Sequence, residues 1–141
     1  RFVVKSRKKN RDPWWVRWYA DEYHVDECMV PYTSLSLLAR AQWAVHFESG
    51  AALECALMGA YGYVVAVPQS HVDTLSGAEH MYRKPGYPDP AMHAWPGVTE
   101  YGLPGRSRTM DPEQRAAYLD HFCGPVDGKA GERVVDVAEG T

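Results

Sequence analysis

The sequence predicts a mainly α chain with long irregular segments: an N-terminal amphipathic helix, one transmembrane helix, an extended Pro/Tyr-rich arm and a short C-terminal helix, with no large independent core. Three observations lead there. Residues 50–67, GAALECALMGAYGYVVAV, are an apolar run of eighteen residues with one charge, Glu54. Seven of the ten Pro and nine of the twelve Gly lie after residue 70, and residues 82–105, which they punctuate, are expected to form neither a regular helix nor a central strand. The large aliphatic content is low, with 8 Leu, 15 Val, 3 Phe and no Ile in 141 residues, which is little hydrocarbon for a self-sufficient core.

Size and charge bound the function. A chain of 141 residues is one domain's worth of polypeptide, and 45% hydrophobic with 23% charged residues excludes wholesale disorder. The net charge of -3 excludes a strongly basic nucleic-acid binder, but it conceals an asymmetry: residues 1–20 carry seven Lys or Arg against the single Asp12. Such an end suits a solvated tail or a tail resting on anionic lipid. Cys28, Cys55 and Cys123 are odd in number and show no C-x-x-C, which argues against a zinc ribbon and a disulfide scaffold. Arg1 rather than Met at the first position is expected of a processed precursor or of a trimmed chain; if an Arg-rich, acid-poor transit peptide was removed, the expected compartment is an organelle.

Three segments follow, at 1–33, 34–68 and 69–141. In the first, Asp12 before Pro13 is a helix start, and a helix from Pro13 to about Cys28 places Trp14, Trp15, Trp18, Tyr19 and Val25 on one face. Trp and Tyr beside Arg favour the boundary between headgroups and hydrocarbon, so that face is expected to meet lipid or a partner; the alternative is an ordinary helix docked on a core. Thr33 or Ser34 caps a second helix through Leu35, Leu38, Trp43 and Phe47, which continues into the span at about 50–67. Eighteen residues reach roughly 27 Å at ~1.5 Å each, close to a hydrocarbon thickness of about 30 Å. Ala52, Ala56 and Ala60 repeat at small-xxx-small spacing, a seam that lets another helix approach; the alternative is a buried helix of a protein without a span.

The third segment is too aromatic for a flexible linker. YRKPGYPDPAMHAWPGVTEYGLPG is therefore expected to lie on a partner, with the rings of Tyr82, Tyr87 and Trp95 filling pockets. Asp111, Pro112 and Gln114 then open a helix at about 111–123, closed by Gly124-Pro125.

Chemistry is sparse. His71, Asp73, Glu79 and His80 are the densest group of ligating residues, but none of them pairs at the i, i+4 spacing of a zinc enzyme. His46 and His71 bracket the span, and a haem held by two His needs ligands facing each other on different helices. No phosphate-binding glycine loop is present. No catalytic residue, metal or cofactor is expected.

The order of features resembles one family. Arg11-Asp12-Pro13-Trp14, then a modest span ending at a Pro, then a tail through Met81-Tyr82 and Asp89-Pro90, is similar to single-span accessory subunits of the membrane arm of mitochondrial respiratory complex I, ASHI-type first. Tyr87-Pro88-Asp89-Pro90 followed by Trp95 also resembles the AGGG-type subunit. The resemblance implies a non-catalytic structural or assembly subunit of NADH:ubiquinone oxidoreductase in the mitochondrial inner membrane. Its N-terminus would lie on the matrix side and its arm on the intermembrane-space side. Its partners would be other subunits and the lipid bilayer, with nucleic acid not expected. The alternatives are an accessory subunit of mitochondrial ATP synthase or of another respiratory complex, and a soluble organellar RNA- or ribosome-associated module.

Overall fold

The computed structural model describes residues 1–6, 12–25, 33–66, 89–105, 108–130, 132, 133 and 136. Two regions of regular structure emerge. The first is a parallel strand pair, β1 (Val3–Ser6) and β2 (Glu22–Val25), in register Val3 to Glu22 through Ser6 to Val25, joined by a connection that includes the single helical turn α1 (Val16–Tyr19). The predicted helix from Pro13 to Cys28 is thus corrected to one turn and a strand. Ala20 leaves the helix in extended conformation, φ -86° and ψ 131°, and Tyr23, His24 and Val25 are residues that favour a pleated surface. Asp12 caps no helix; its carboxylate accepts the Tyr23 hydroxyl at 2.8 Å. Arg17 lies over the Tyr23 ring, 4.7 Å from its centroid, and Arg1 pairs with Glu22.

The second region is a small α/β unit: α2 (Thr33–Leu38), β3 (Trp43–Phe47), α3 (Ala51–Met58), β4 (Tyr61–Val65), α4 (Pro90–His93), β5 (Thr99–Tyr101) and α5 (Pro112–Cys123). β3, β4 and β5 form a parallel sheet in that order, so β3-α3-β4 is a compact crossover unit. The predicted transmembrane helix is therefore contradicted. Its eighteen residues divide into α3, a left-handed stop and β4, and no helix among the described residues is long and apolar enough to cross a membrane. The physical reason is Gly59. At φ +80° it turns the chain out of the helix, its N–H donates to the Ala56 carbonyl, and the Ala60 N–H donates to the Cys55 carbonyl. Beyond that stop, Tyr61, Tyr63, Val64 and Val65 are strand formers.

The expectation of no large independent core is met by one compact cluster that belongs to the α/β unit itself. Tyr61, Tyr63, Tyr118, Val98, Ala56, Met110 and Leu119 form one buried cluster, with Trp43, Leu53, Met92, Trp95 and Phe122 packed against it. Tyrosine rings supply the bulk that the missing Ile and Leu do not, with Tyr61–Tyr63 centroids at 5.2 Å and Tyr118–Phe122 at 4.8 Å. The extended arm is corrected over residues 89–101, which supply α4 and β5 to this unit, while the helix expected at about 111–123 is present as α5.

α5 lies where its capping residues place it. Asp111 Oδ1 accepts from the Glu113 and Gln114 amides at 2.9 and 3.1 Å. The Gln114 side chain does not close a capping box; it accepts the Trp95 indole N–H at 3.2 Å. Arg115 reaches α3 and donates to the Ala56 and Leu57 carbonyls at 2.6 and 2.8 Å, satisfying the last turn of that helix with a positive charge. The Tyr118 hydroxyl donates to the Met92 carbonyl at 2.8 Å and ties α5 to α4.

Candidate functional site

Register alone puts Ala44, Gly62 and Thr99 in one row across the sheet, and His46, Val64 and Tyr101 in the next row on the same face, toward the carboxyl ends of the strands. Gly62 leaves a gap in the lower row. A Cβ there would stand 2.9 Å from Thr99 Oγ1 and 3.2 Å from His46 Nε2, so both polar atoms lean over the glycine. This close approach is what Gly62 permits.

His93 completes the group. α4 begins at Asp89, whose Oδ1 accepts the Ala91 amide at 2.9 Å, with Pro90 in the first turn. Its last residue, His93, is fully buried, with ring centroids 6.3 Å from His46 and 6.4 Å from Tyr101. Tyr101 is the surface member, 43% exposed, and its hydroxyl donates to Glu48 Oε1 at 2.8 Å.

Four enclosed atoms in this group have no hydrogen-bond partner among the described residues: His46 Nε2, both ring nitrogens of His93, and Thr99 Oγ1. Each enclosed and unpaired polar group costs about 1–3 kcal/mol, so a cluster of them is a place where stability has been given up. His46 Nδ1 is engaged with the Phe47 carbonyl at 2.8 Å and therefore carries the proton, which leaves Nε2 as an acceptor in the neutral ring. Burial lowers the basicity of both imidazoles. For His46 the Phe47 carbonyl and Glu54 oppose that shift; for His93 the neighbouring His46 adds to it, while Glu48 and Asp89 oppose it. Burial, reinforced by the Glu48 side chain, pushes the Tyr101 hydroxyl up to about 12. Cys55, enclosed in α3 near Glu54, is pushed up to about 12 by burial and is no thiolate nucleophile.

The start of α3 is not an open anion cradle. Ser49 Oγ accepts the Ala51 amide at 3.3 Å, the Ser49 carbonyl accepts that of Ala52, and the Gly50 carbonyl accepts those of Leu53 and Glu54. Among the described residues no group of three or more His, Cys, Asp or Glu is arranged to hold a metal ion.

The residues expected to carry partner contacts are scattered. Trp14, Trp15 and Trp18 are 69, 51 and 80% exposed in and before α1. Ala52, Ala56 and Ala60 are buried inside the α/β unit, with Ala60 beyond the end of α3. Trp95 packs within the unit against Tyr118, His121 and Phe122. Tyr82 and Tyr87, like His71, Asp73, Glu79 and His80, lie outside the described residues.

The sequence pattern has His46 and His71 bracketing the apolar run and does not single out His93, Thr99 or Tyr101. The signal for His93 was present in Asp89-Pro90, the same pairing that opens α5 at Asp111-Pro112. Fold and site together define a small parallel α/β unit with a polar cluster on one face of its sheet that is unsatisfied among the described residues. No protein-family profile, curated protein or solved structure matches the chain.

Proposed function

We propose that the α/β unit binds a small hydroxyl-bearing ligand on the face of its sheet where His46, His93 and Thr99 surround Gly62. One observation carries the reading: the enclosed atoms of His46, His93 and Thr99 that have no partner among the described residues. The cluster lies on one face of the parallel sheet, from Thr99 at the start of β5 to His46 near the end of β3, over the gap left by Gly62. The chemistry of the cluster selects the ligand. Glu48, Glu54 and Asp89 bear electrostatically on two neutral imidazoles, and His46 Nε2 accepts. Such a surface asks for O–H donors and disfavours an anion, in keeping with the internally satisfied first turn of α3.

Long-range proton–nitrogen spectra of the histidine-labelled protein test this. Titration with a neutral hexose and a nucleoside, with inorganic phosphate as the contrasting probe, is expected to move the His46 and His93 ring nitrogens for a neutral hydroxyl compound. Movement with phosphate alone would make the site an anion site, and no movement with any of them would remove the proposal.

A second reading keeps one observation. The exposed Trp14, Trp15 and Trp18 support a role as a partner-bound accessory subunit, the respiratory-chain function among them, although the residues assigned to its span are α3 and β4. Co-migration of the chain with NADH dehydrogenase activity on a native gel is the corresponding test, and migration apart from every respiratory complex would end that reading.

A further inference from the structure

We propose that the N-terminal region docks on an anionic lipid surface through Trp14, Trp15, Trp18 and Tyr19. This inference is independent of the site on the sheet. The aromatic residues before and within α1 are turned to solvent: Trp18 is 80% exposed, Tyr19 76%, Trp14 69% and Trp15 51%. No residue of α1 is buried, so the turn contributes nothing to a core. Trp and Tyr are the side chains that settle at the headgroup level, with an apolar ring below and a polar edge in water.

Charge complementarity names the occupant. Residues 1–25, the strand pair and its connection, hold seven Lys or Arg against Asp12, Asp21 and Glu22, whereas the remaining residues hold eight against fifteen Asp or Glu. A negatively charged bilayer attracts the first group and repels the second, so it orients the molecule with the tryptophans toward the headgroups. Arg17, exposed on α1 among these rings, sits at the level of the lipid phosphates in that orientation. The geometry disfavours a nucleic acid. Base stacking needs open ring faces in a usable array, and Trp14 meets Trp18 edge to face at an interplanar angle of 80°. The acidic remainder would also repel a polyanion long enough to pass beyond the N-terminal region.

Co-sedimentation of the full chain with phosphatidylcholine vesicles, with and without about 30% phosphatidylserine, tests the proposal. The anionic vesicles are expected to bind at least about tenfold more tightly and to shift tryptophan emission to the blue. The double variant Trp15→Ser, Trp18→Ser should lose most of that binding while its far-ultraviolet circular dichroism stays unchanged, because the replaced side chains are exposed. Raised salt should weaken the association without abolishing the blue shift of the bound fraction. Absence of binding to the anionic vesicles, binding unaltered in the double variant, or binding of single-stranded RNA in preference to vesicles would each overturn it.

Discussion

The two regions of the molecule use aromatic residues in opposite ways. In the α/β unit the rings of Tyr61, Tyr63 and Tyr118 are buried to 2% exposure or less, whereas in the N-terminal region Trp14, Trp15 and Trp18 are all more than half exposed. The difference lies in the company they keep. Tyr118 has Ala56 below it, Phe122 beside it and a carbonyl for its hydroxyl, so burial leaves no polar atom unpaired. Trp14 and Trp18 have each other and a single helical turn, and β1 and β2 make a two-strand pair too small to cover them. Ring count alone therefore says little about where a core is; what matters is whether small residues and hydrogen-bond acceptors stand beside the rings.

The sharpest way to break this comparison is to truncate one ring from each region. Tyr118→Ala is expected to cost about 3–5 kcal/mol in urea denaturation, as removal of a fully packed aromatic does, while Trp18→Ala should change stability by no more than about 0.5 kcal/mol. Equal costs would mean that the N-terminal region has a core of its own. Next in size, Arg115→Ala should cost about 1.5–3 kcal/mol, because it removes charge-assisted bonds from the last turn of α3. Lys at the same position should recover only part of the loss, since an ammonium cannot serve both carbonyls with the fixed geometry of a guanidinium.

Acid should act on the α/β unit through its histidines. Both native imidazoles are held below the ordinary value of 6.5, chiefly by burial, so the unfolded chain takes up protons first as the pH falls. Above 6.5 their titration takes nothing from stability, and below it stability declines as the pH drops, levelling only where the native rings protonate. Denaturation midpoints measured across that interval should fall for the wild type and flatten for the double variant His46→Gln, His93→Leu. The smallest effect is one of reactivity. At mildly alkaline pH an alkylating reagent should modify exposed Cys123 well before Cys55, whose thiol is buried and held up to about 12. Mass spectrometry of the digested protein would show this order, and early loss of Cys55 would mean that α3 opens readily.

Legibility followed the capping chemistry more than the hydrophobic pattern. Three Asp-Pro pairs, at 12–13, 89–90 and 111–112, carry the same local signal. The last two cap helices, α4 and α5; the first does not, because Tyr23 takes the Asp12 carboxylate in a contact eleven residues away that no local rule anticipates. The run at 50–67 misled for a related reason. A continuous apolar stretch has no period to read, so a helix and a buried strand in succession look like one span. Gly59 was the stop signal, but glycine is equally at home in the small-residue seam of a membrane helix, and only its left-handed conformation distinguishes the two. The candidate site was the least legible part. His46 and His93 stand 47 positions apart and are joined through strand register and the gap at Gly62, which are properties of the sheet and not of any local pattern.

The central claim, that the buried histidines are kept for a ligand and not for the fold, is tested most directly by urea denaturation of His93→Leu near neutral pH. Nothing among the described residues pairs with the His93 ring nitrogens, so an apolar side chain of similar size should leave stability unchanged or raise it by about 1 kcal/mol. A loss of about 2 kcal/mol or more would show that His93 makes hydrogen bonds the fold depends on, and the site would then be a structural part of the core.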